Sequence, residues 1–208
     1  MSPEPVLAER AYLLLKADIM AGRFAPGSIL NERQLAAEYG VSVSPLRDAA
    51  QRLVGEYMLK IASGGGFRLP TVTPDALRDL YRWHGHLVRL ILKASRPAAA
   101  LEAQQPYAVT EADGHALALA ATNLFLAIAH ASNDQEHRRA LRSATERLHL
   151  ARLGEVRVLR NLREELQVVE IATISGRGPD RFEVLWAYHR RRIRRVGRIW
   201  DAILSWPQ

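Results

Sequence analysis

Residues 31–55, NERQLAAEYGVSVSPLRDAAQRLVG, decide the fold. Asn31 is a residue whose side chain caps helices, and Gln34 three positions on completes a capping-box arrangement. Leu35, Ala36 and Tyr39 carry the helix to Gly40, which ends it. After the short Gly-Val-Ser connection, Pro45 falls in the first turn of another helix, where its missing N–H costs nothing. Leu46, Ala49, Ala50 and Leu53 form the inner face of that helix. Two short helices joined by a turn of about four residues containing Gly are the helix-turn-helix pattern.

The flanks extend this pattern in both directions. Upstream, residues 8–20 read as a helix, with Leu7, Ala11, Leu14, Leu15 and Ile19 at helical spacing; Gly22 stops it and Pro26-Gly27 turns the chain. Downstream, residues 59–62 and 67–69 read as short strands around Ser63-Gly64-Gly65-Gly66, a hairpin and hence a wing. The boundary falls at residues 70–74, giving a winged helix-turn-helix over 1–72 and a second domain over 73–208. Thr73 is placed to cap a new helix, with Pro74 at its first position and Asp75 near its positive end. Leu77, Leu80, Tyr81, His84, Leu87, Val88 and Ile91 form one stripe of that helix. Residues 96–105 read as a loop. A helix then spans residues 110–131, and Asn133 with Glu136 opens another to residue 152. One more runs to residue 174, residues 175–179 turn, and Asp180 with Glu183 opens a last helix to residue 204. The expected fold class is therefore mainly α: the winged domain followed by an antiparallel all-helical bundle.

Composition narrows the function classes. The net charge of +7 and pI of about 10.2 suit an anionic partner. Residues 1–70 hold eight Lys/Arg against seven Asp/Glu, whereas residues 71–208 hold twenty-one against fifteen, so total charge does not locate the surface. There are no cysteines, which removes disulfides, thiolate zinc and cysteine nucleophiles. No apolar run approaches the roughly 20 residues that span a membrane, and MSPEPVLAER is not a signal sequence. A cytoplasmic protein is expected, without membrane association. No nucleophile elbow, phosphate loop, HExxH or dinucleotide fingerprint is present, so an enzyme is not expected. The basic run HRRRIRRVGR reads as one solvated helical face with Ile193, Val196 and Ile199 turned inward.

Gly22, Pro26-Gly27, Leu30, Glu32, Leu35-Ala36, Gly40-Val41-Ser42, Pro45-Leu46-Arg47 and Leu53, followed by the glycine wing, resemble the GntR family of transcriptional regulators. The order and spacing match over about 65 residues. The helical second domain resembles the FadR-like branch, whose effector-binding (FCD-type) domain is an antiparallel bundle. The resemblance implies double-stranded DNA as partner, a palindromic operator bound by a homodimer, and a small-molecule effector. The competing expectation is a ligand-independent DNA-binding protein of architectural type.

Physical reading of the first domain agrees. The helix that begins near Pro45 suits the major groove, where Arg47 would pair with guanine or a phosphate. Arg33 sits like the family's groove-facing arginine. Ser42 and Ser44 are placed to bind phosphate through hydroxyls and helix-start N–H groups. Gly64, Gly65 and Gly66 let the wing backbone approach the minor groove. Two departures stand out: Val43 replaces a usual arginine, exchanging a donor for a possible thymine-methyl contact, and Tyr57 replaces a usual glycine.

Many relatives hold a metal with an Asp and a His one turn apart and two later histidines. Aligned through residues 128–132, those positions are Ala121, Phe125 and Leu166, with only His189 retained. One imidazole does not hold a divalent ion, so no metal and no other cofactor is expected. Phe125 should fill the space, and an apolar or acyl-type effector, or none, fits better than a metal-held carboxylate. Polar groups on the apolar helices, His84, Asn123 and His189, are the effector-binding candidates. His115, His130, His137 and His149 read as surface positions.

Overall fold

The computed structural model describes residues 3–94, 114–175 and 180–205. They form two compact units, Met1–Val72 and Thr73–Ser205. In the first, α1 (Pro3–Met20) packs on α3 (Val43–Gly55), α2 (Glu32–Tyr39) lies between them in sequence, and β1 (Lys60–Ile61) pairs antiparallel with β2 (Phe67–Arg68). Asn31 caps α2 by accepting from the Gln34 N–H at 3.2 Å, but the Gln34 side chain bonds Glu38 rather than closing the box. Gly40 ends α2 in the left-handed region (φ 66°), a conformation that glycine adopts without penalty. The wing is tied to the chain before α2: Ile29 bridges Arg68, and the Leu30 N–H donates to the Phe67 carbonyl at 2.9 Å. Leu15, Leu35, Leu46, Leu53, Leu59 and Phe67 converge in its core.

The second unit is helical throughout its described residues: α4 (Pro74–Ala94), α5 (Gly114–His130), α6 (Gln135–Arg147), α7 (His149–Val158), α8 (Leu162–Glu170), a π-helical turn (Ile171–Ser175) and α9 (Arg181–Leu204). The fold is thus mainly α, a winged helix-turn-helix unit plus a helical bundle. Thr73 caps α4, its Oγ1 accepting from the Ala76 N–H at 3.2 Å. Long helices α4 and α9 pack on one another, with α7 against α9 and α5 against α6 and α7. Leu80, Leu87, Ile91, Phe125, Ile128, Leu141, Val169, Leu185 and Ile199 fill the centre.

Three expectations are corrected here. Asp134, not Asn133, caps α6, its carboxylate accepting from the Glu136 and His137 N–H groups at 2.8 and 3.0 Å. An anionic acceptor at the positive helix end is the stronger cap. The stretch after Arg147 is not two long helices: α7 ends at Val158, the chain extends through buried Leu159, and Asn161 turns left-handed (φ 56°) before α8. Burying Leu159 requires the break, and Asn tolerates that φ better than most residues. His149 is buried, with Nδ1 2.8 Å from the Thr122 hydroxyl. The expected loop over 96–105, residues 110–113 of the expected α5 and residues 176–179 lie outside the described residues.

Candidate functional site

The apolar face of α3, Leu46, Ala49, Ala50 and Leu53, is buried in its own unit, which leaves Ser42, Ser44, Arg47, Asp48 and Gln51 exposed on the opposite side. Ser42 stands at the N-cap, yet its hydroxyl makes no capping bond, so the first N–H groups of α3 face outward with two hydroxyls beside them. Val43 is half-buried and packs against the unit's core. Arg47 Nε donates to Glu32 Oε2 at 2.6 Å with the arginine side chain still 63% exposed. Glu32 also neighbours the wing: a Cβ placed on Gly66 would lie 3.1 Å from its Oε1. One carboxylate therefore holds Arg47 and abuts the turn where Gly65 (φ 87°) and Gly66 (φ 76°) are left-handed. Gly64 is exposed at the same tip, and Arg33 is exposed on the first turn of α2.

The interior of the helical unit carries a second polar cluster. His189 Nδ1 lies 2.7 Å from the Leu185 carbonyl, which accepts only, so the proton sits on Nδ1 and Nε2 is bare. That Nε2 lies 2.8 Å from His84 Nδ1, which must then carry the proton, leaving His84 Nε2 to accept from the Thr145 hydroxyl at 3.1 Å. Burial holds the pKa of both imidazoles down, His84 well below its usual range and His189 to about 3. Gly85 makes the approach possible, since a Cβ there would stand 3.1 Å from the His189 ring. Nearby, the buried Arg192 guanidinium donates to Glu155 at 2.8 Å and Glu165 at 3.0 Å, and Tyr81 donates to Glu155 at 2.6 Å. Burial works against the charge on Arg192, but Glu155, Tyr188 and Glu165 outweigh it and raise its pKa. Arg152, also buried, gives Nη1 to the Thr122 hydroxyl and the Thr145 carbonyl at 2.9 and 2.8 Å.

The sequence profile described as bacterial regulatory proteins, gntR family, matches residues 7–69, the whole winged unit. The chain belongs to the GntR family. It is 38% identical over 71 residues to the uncharacterized HTH-type transcriptional regulator YdhC of Bacillus subtilis, covering 34% of this chain and 32% of that protein. It is 33% identical over 70 residues to the HTH-type transcriptional repressor GlaR of Escherichia coli, covering 34% and 32%. The chain thus spans about a third of the length of these curated relatives. At the level of fold the likeness is longer. A putative GntR transcriptional regulator from Rhodococcus superposes with a TM-score of 0.70 at 18% identity, over 91% of this chain and 96% of that one. McbR/YncC of E. coli superposes with a TM-score of 0.61 at 19% identity, over 92% and 97%.

The metal that many GntR relatives hold does not fit these residues. Ala121, Phe125 and Leu166 offer no donor, and both ring nitrogens of His189 are engaged by His84 and Leu185. Phe125 is fully buried there, its ring edge-on to His84 at 4.6 Å. Among the described residues no three His, Cys, Asp or Glu side chains gather as a ligand set.

Of the effector candidates, His84 and His189 come together, while Asn123 is half-buried on α5. A cavity of about 10 Å³ lies beside them, lined by Arg152, Glu155, Tyr188 and Arg192 and by apolar side chains that include Ala121 and Leu166. Sequence reading missed all four polar lining residues. It placed Arg192 in a solvated run, whereas Leu185, Tyr188, His189, Arg192, Val196 and Ile199 form the buried stripe of α9. The spacing was the available signal: Arg192 is four residues from both Tyr188 and Val196, so it shares their face.

Proposed function

We propose that this chain is a sequence-specific, DNA-binding transcriptional regulator whose helical unit receives a small-molecule effector. The observation that supports it best is α3, apolar toward its own core and presenting Ser42, Ser44 and Arg47 outward beside a glycine wing, in the region that matches the GntR family. An α-helix exposed in this way fits the major groove, with its N-terminal residues at base edges and its wing at the neighbouring minor groove. Arg33, Ser42, Val43, Ser44, Arg47 and residues 64–66 are the contact set. Because one recognition helix reads only a few base pairs, two copies act on a palindromic operator. Escherichia coli GlaR is described as a repressor, and repression is the sign proposed here.

DNA must take Arg47 from Glu32. The pair is on the surface, where such bonds contribute about 0–1 kcal/mol, while a bidentate arginine–guanine contact is worth about 1–3 kcal/mol. The exchange is favourable on the right sequence and nearly neutral on the wrong one. Operator selected from random duplexes, followed by anisotropy titrations across a salt series, tests the reading. Arg47→Ala should weaken the selected site by about 1–3 kcal/mol while circular dichroism stays unchanged. Equal affinity of parent and variant for the selected duplex would remove the assignment of α3.

A further inference from the structure

Arg152 and Arg192 enter the same cavity under different electrostatic conditions. Arg192 is neutralised by Glu155 and Glu165. Glu155 is fully used, one oxygen accepting from Tyr81 and the other from Arg192. Arg152 is 2% exposed, and its Nη1 meets only a hydroxyl and a carbonyl; no carboxylate reaches it among the described residues. Its Nε has no acceptor, and neither has the hydroxyl of Tyr188, which is 3% exposed. Two buried donors and one uncompensated positive charge therefore face one cavity.

Buried donors are nearly always satisfied, and a buried charge without a counter-charge is costly. Water would satisfy the donors but leave the charge. An anion does both. We propose that Arg152 and Tyr188 form a metal-free site for the carboxylate of a small organic acid, the acidic end of the effector. This rests on the reading of the helical unit as the effector domain. It also replaces the expectation of a purely apolar ligand. A monocarboxylate matches the single uncompensated guanidinium, whereas a phosphate dianion would bring an excess negative charge beside Glu155. The cavity of about 10 Å³ admits roughly one oxygen-sized atom, so the rest of the acid must displace a wall. Leu162 and Leu166 of α8 are the half-buried part of that wall, and α8 begins at Asn161 without a side-chain cap. The acid's carbon chain takes the place of these two leucines.

The test uses the full chain in EDTA at constant ionic strength, with melting temperature and calorimetric titration as readouts. Acetate, butyrate and hexanoate are compared with phosphate and chloride. At least one carboxylate should raise the melting temperature of the parent at millimolar concentration, and phosphate and chloride should not. Tyr188→Phe should weaken that carboxylate about tenfold, the loss of one hydrogen bond to a charged group, without lowering the ligand-free melting temperature. Arg152→Gln should abolish the response. The proposal is overturned if no carboxylate acts on the parent, if phosphate acts as strongly, or if Tyr188→Phe responds like the parent. Operator binding is measured separately, so failure here leaves the DNA-binding reading standing and the converse holds.

Discussion

His84 donates its Nδ1 proton to Nε2 of His189 across 2.8 Å, and the whole chain from Thr145 to the Leu185 carbonyl holds only when both rings are neutral. Protonating either ring puts a charge among Phe125, Arg152 and Arg192, and both pKa values lie below that of an unfolded histidine. Above pH ~6.5 neither folded nor unfolded chain binds the proton, and stability is full. Below it the unfolded chain takes up protons that the native chain refuses, so stability falls by about 1.4 kcal/mol per pH unit for each histidine. For His189 the loss continues toward pH of about 3. Urea unfolding at pH 7.5 and 5.0 should differ by about 4 kcal/mol, and His189→Gln should remove about half of that slope. Equal stability at the two pH values would contradict the neutral pair.

Divalent metals should not stabilise the chain. A metal at His189 would need Nε2, which would break the bond to His84 and leave that ring's proton without an acceptor in a dry core. The three remaining positions, Ala121, Phe125 and Leu166, add nothing to the coordination sphere. Zinc, nickel or manganese at tenfold excess should shift the melting temperature by less than about 2 °C, the scale of roughly 1 kcal/mol for a chain of this size. A larger rise, or one equivalent of metal by elemental assay, would mean that other residues bind it.

The winged unit was legible because its determinants are local. Asn31 and Gly40 bound α2, Pro45 opens α3 and glycines make the wing, all within short stretches of chain. Most of the helical unit's long elements were legible for the same reason, from their apolar stripes. Its polar centre was not. His84 and His189 meet across 105 positions, and Arg152 reaches Thr122 across 30, so no window of sequence displays either relation. Arginine within a run of arginines looks solvated, and only the stripe through Tyr188 and Val196 shows that Arg192 alone faces inward with them. The break at Leu159 was hidden because helix-forming residues continue on both sides of it.

Tyr57 should be replaceable by glycine with a gain. It follows α3 at φ 61°, with its N–H on the Val54 carbonyl at 3.0 Å and the Met58 N–H on the Leu53 carbonyl at 2.9 Å. These two bonds are the Schellman motif, whose left-handed position usually belongs to glycine. A side chain there costs about 1–2 kcal/mol, partly offset by the greater freedom of an unfolded glycine. Tyr57→Gly should raise unfolding stability by about 1 kcal/mol in a urea titration of the full chain. Loss of stability would mean that the exposed phenol makes contacts worth more than the strain.

Arg192 and Arg152 should behave in opposite ways when each is replaced by methionine, which keeps much of the length and removes the charge. Arg192 neutralises Glu155 and Glu165 in the bundle interior, at 2.8 and 3.0 Å. Removing it leaves Glu155, 2% exposed, with only the Tyr81 hydroxyl as partner. Breaking one side of a buried pair typically costs about 3–5 kcal/mol, a large part of the 5–15 kcal/mol that holds a domain folded. Arg152→Met removes a charge that has no counter-charge, together with two hydrogen bonds to neutral acceptors. The relief of desolvation offsets those bonds, so the net change should be within about 1 kcal/mol of the parent in ligand-free protein. Urea unfolding of both variants in parallel decides it. A loss for Arg152→Met as large as that for Arg192→Met would mean that Arg152 is a structural cation rather than one that awaits an anion.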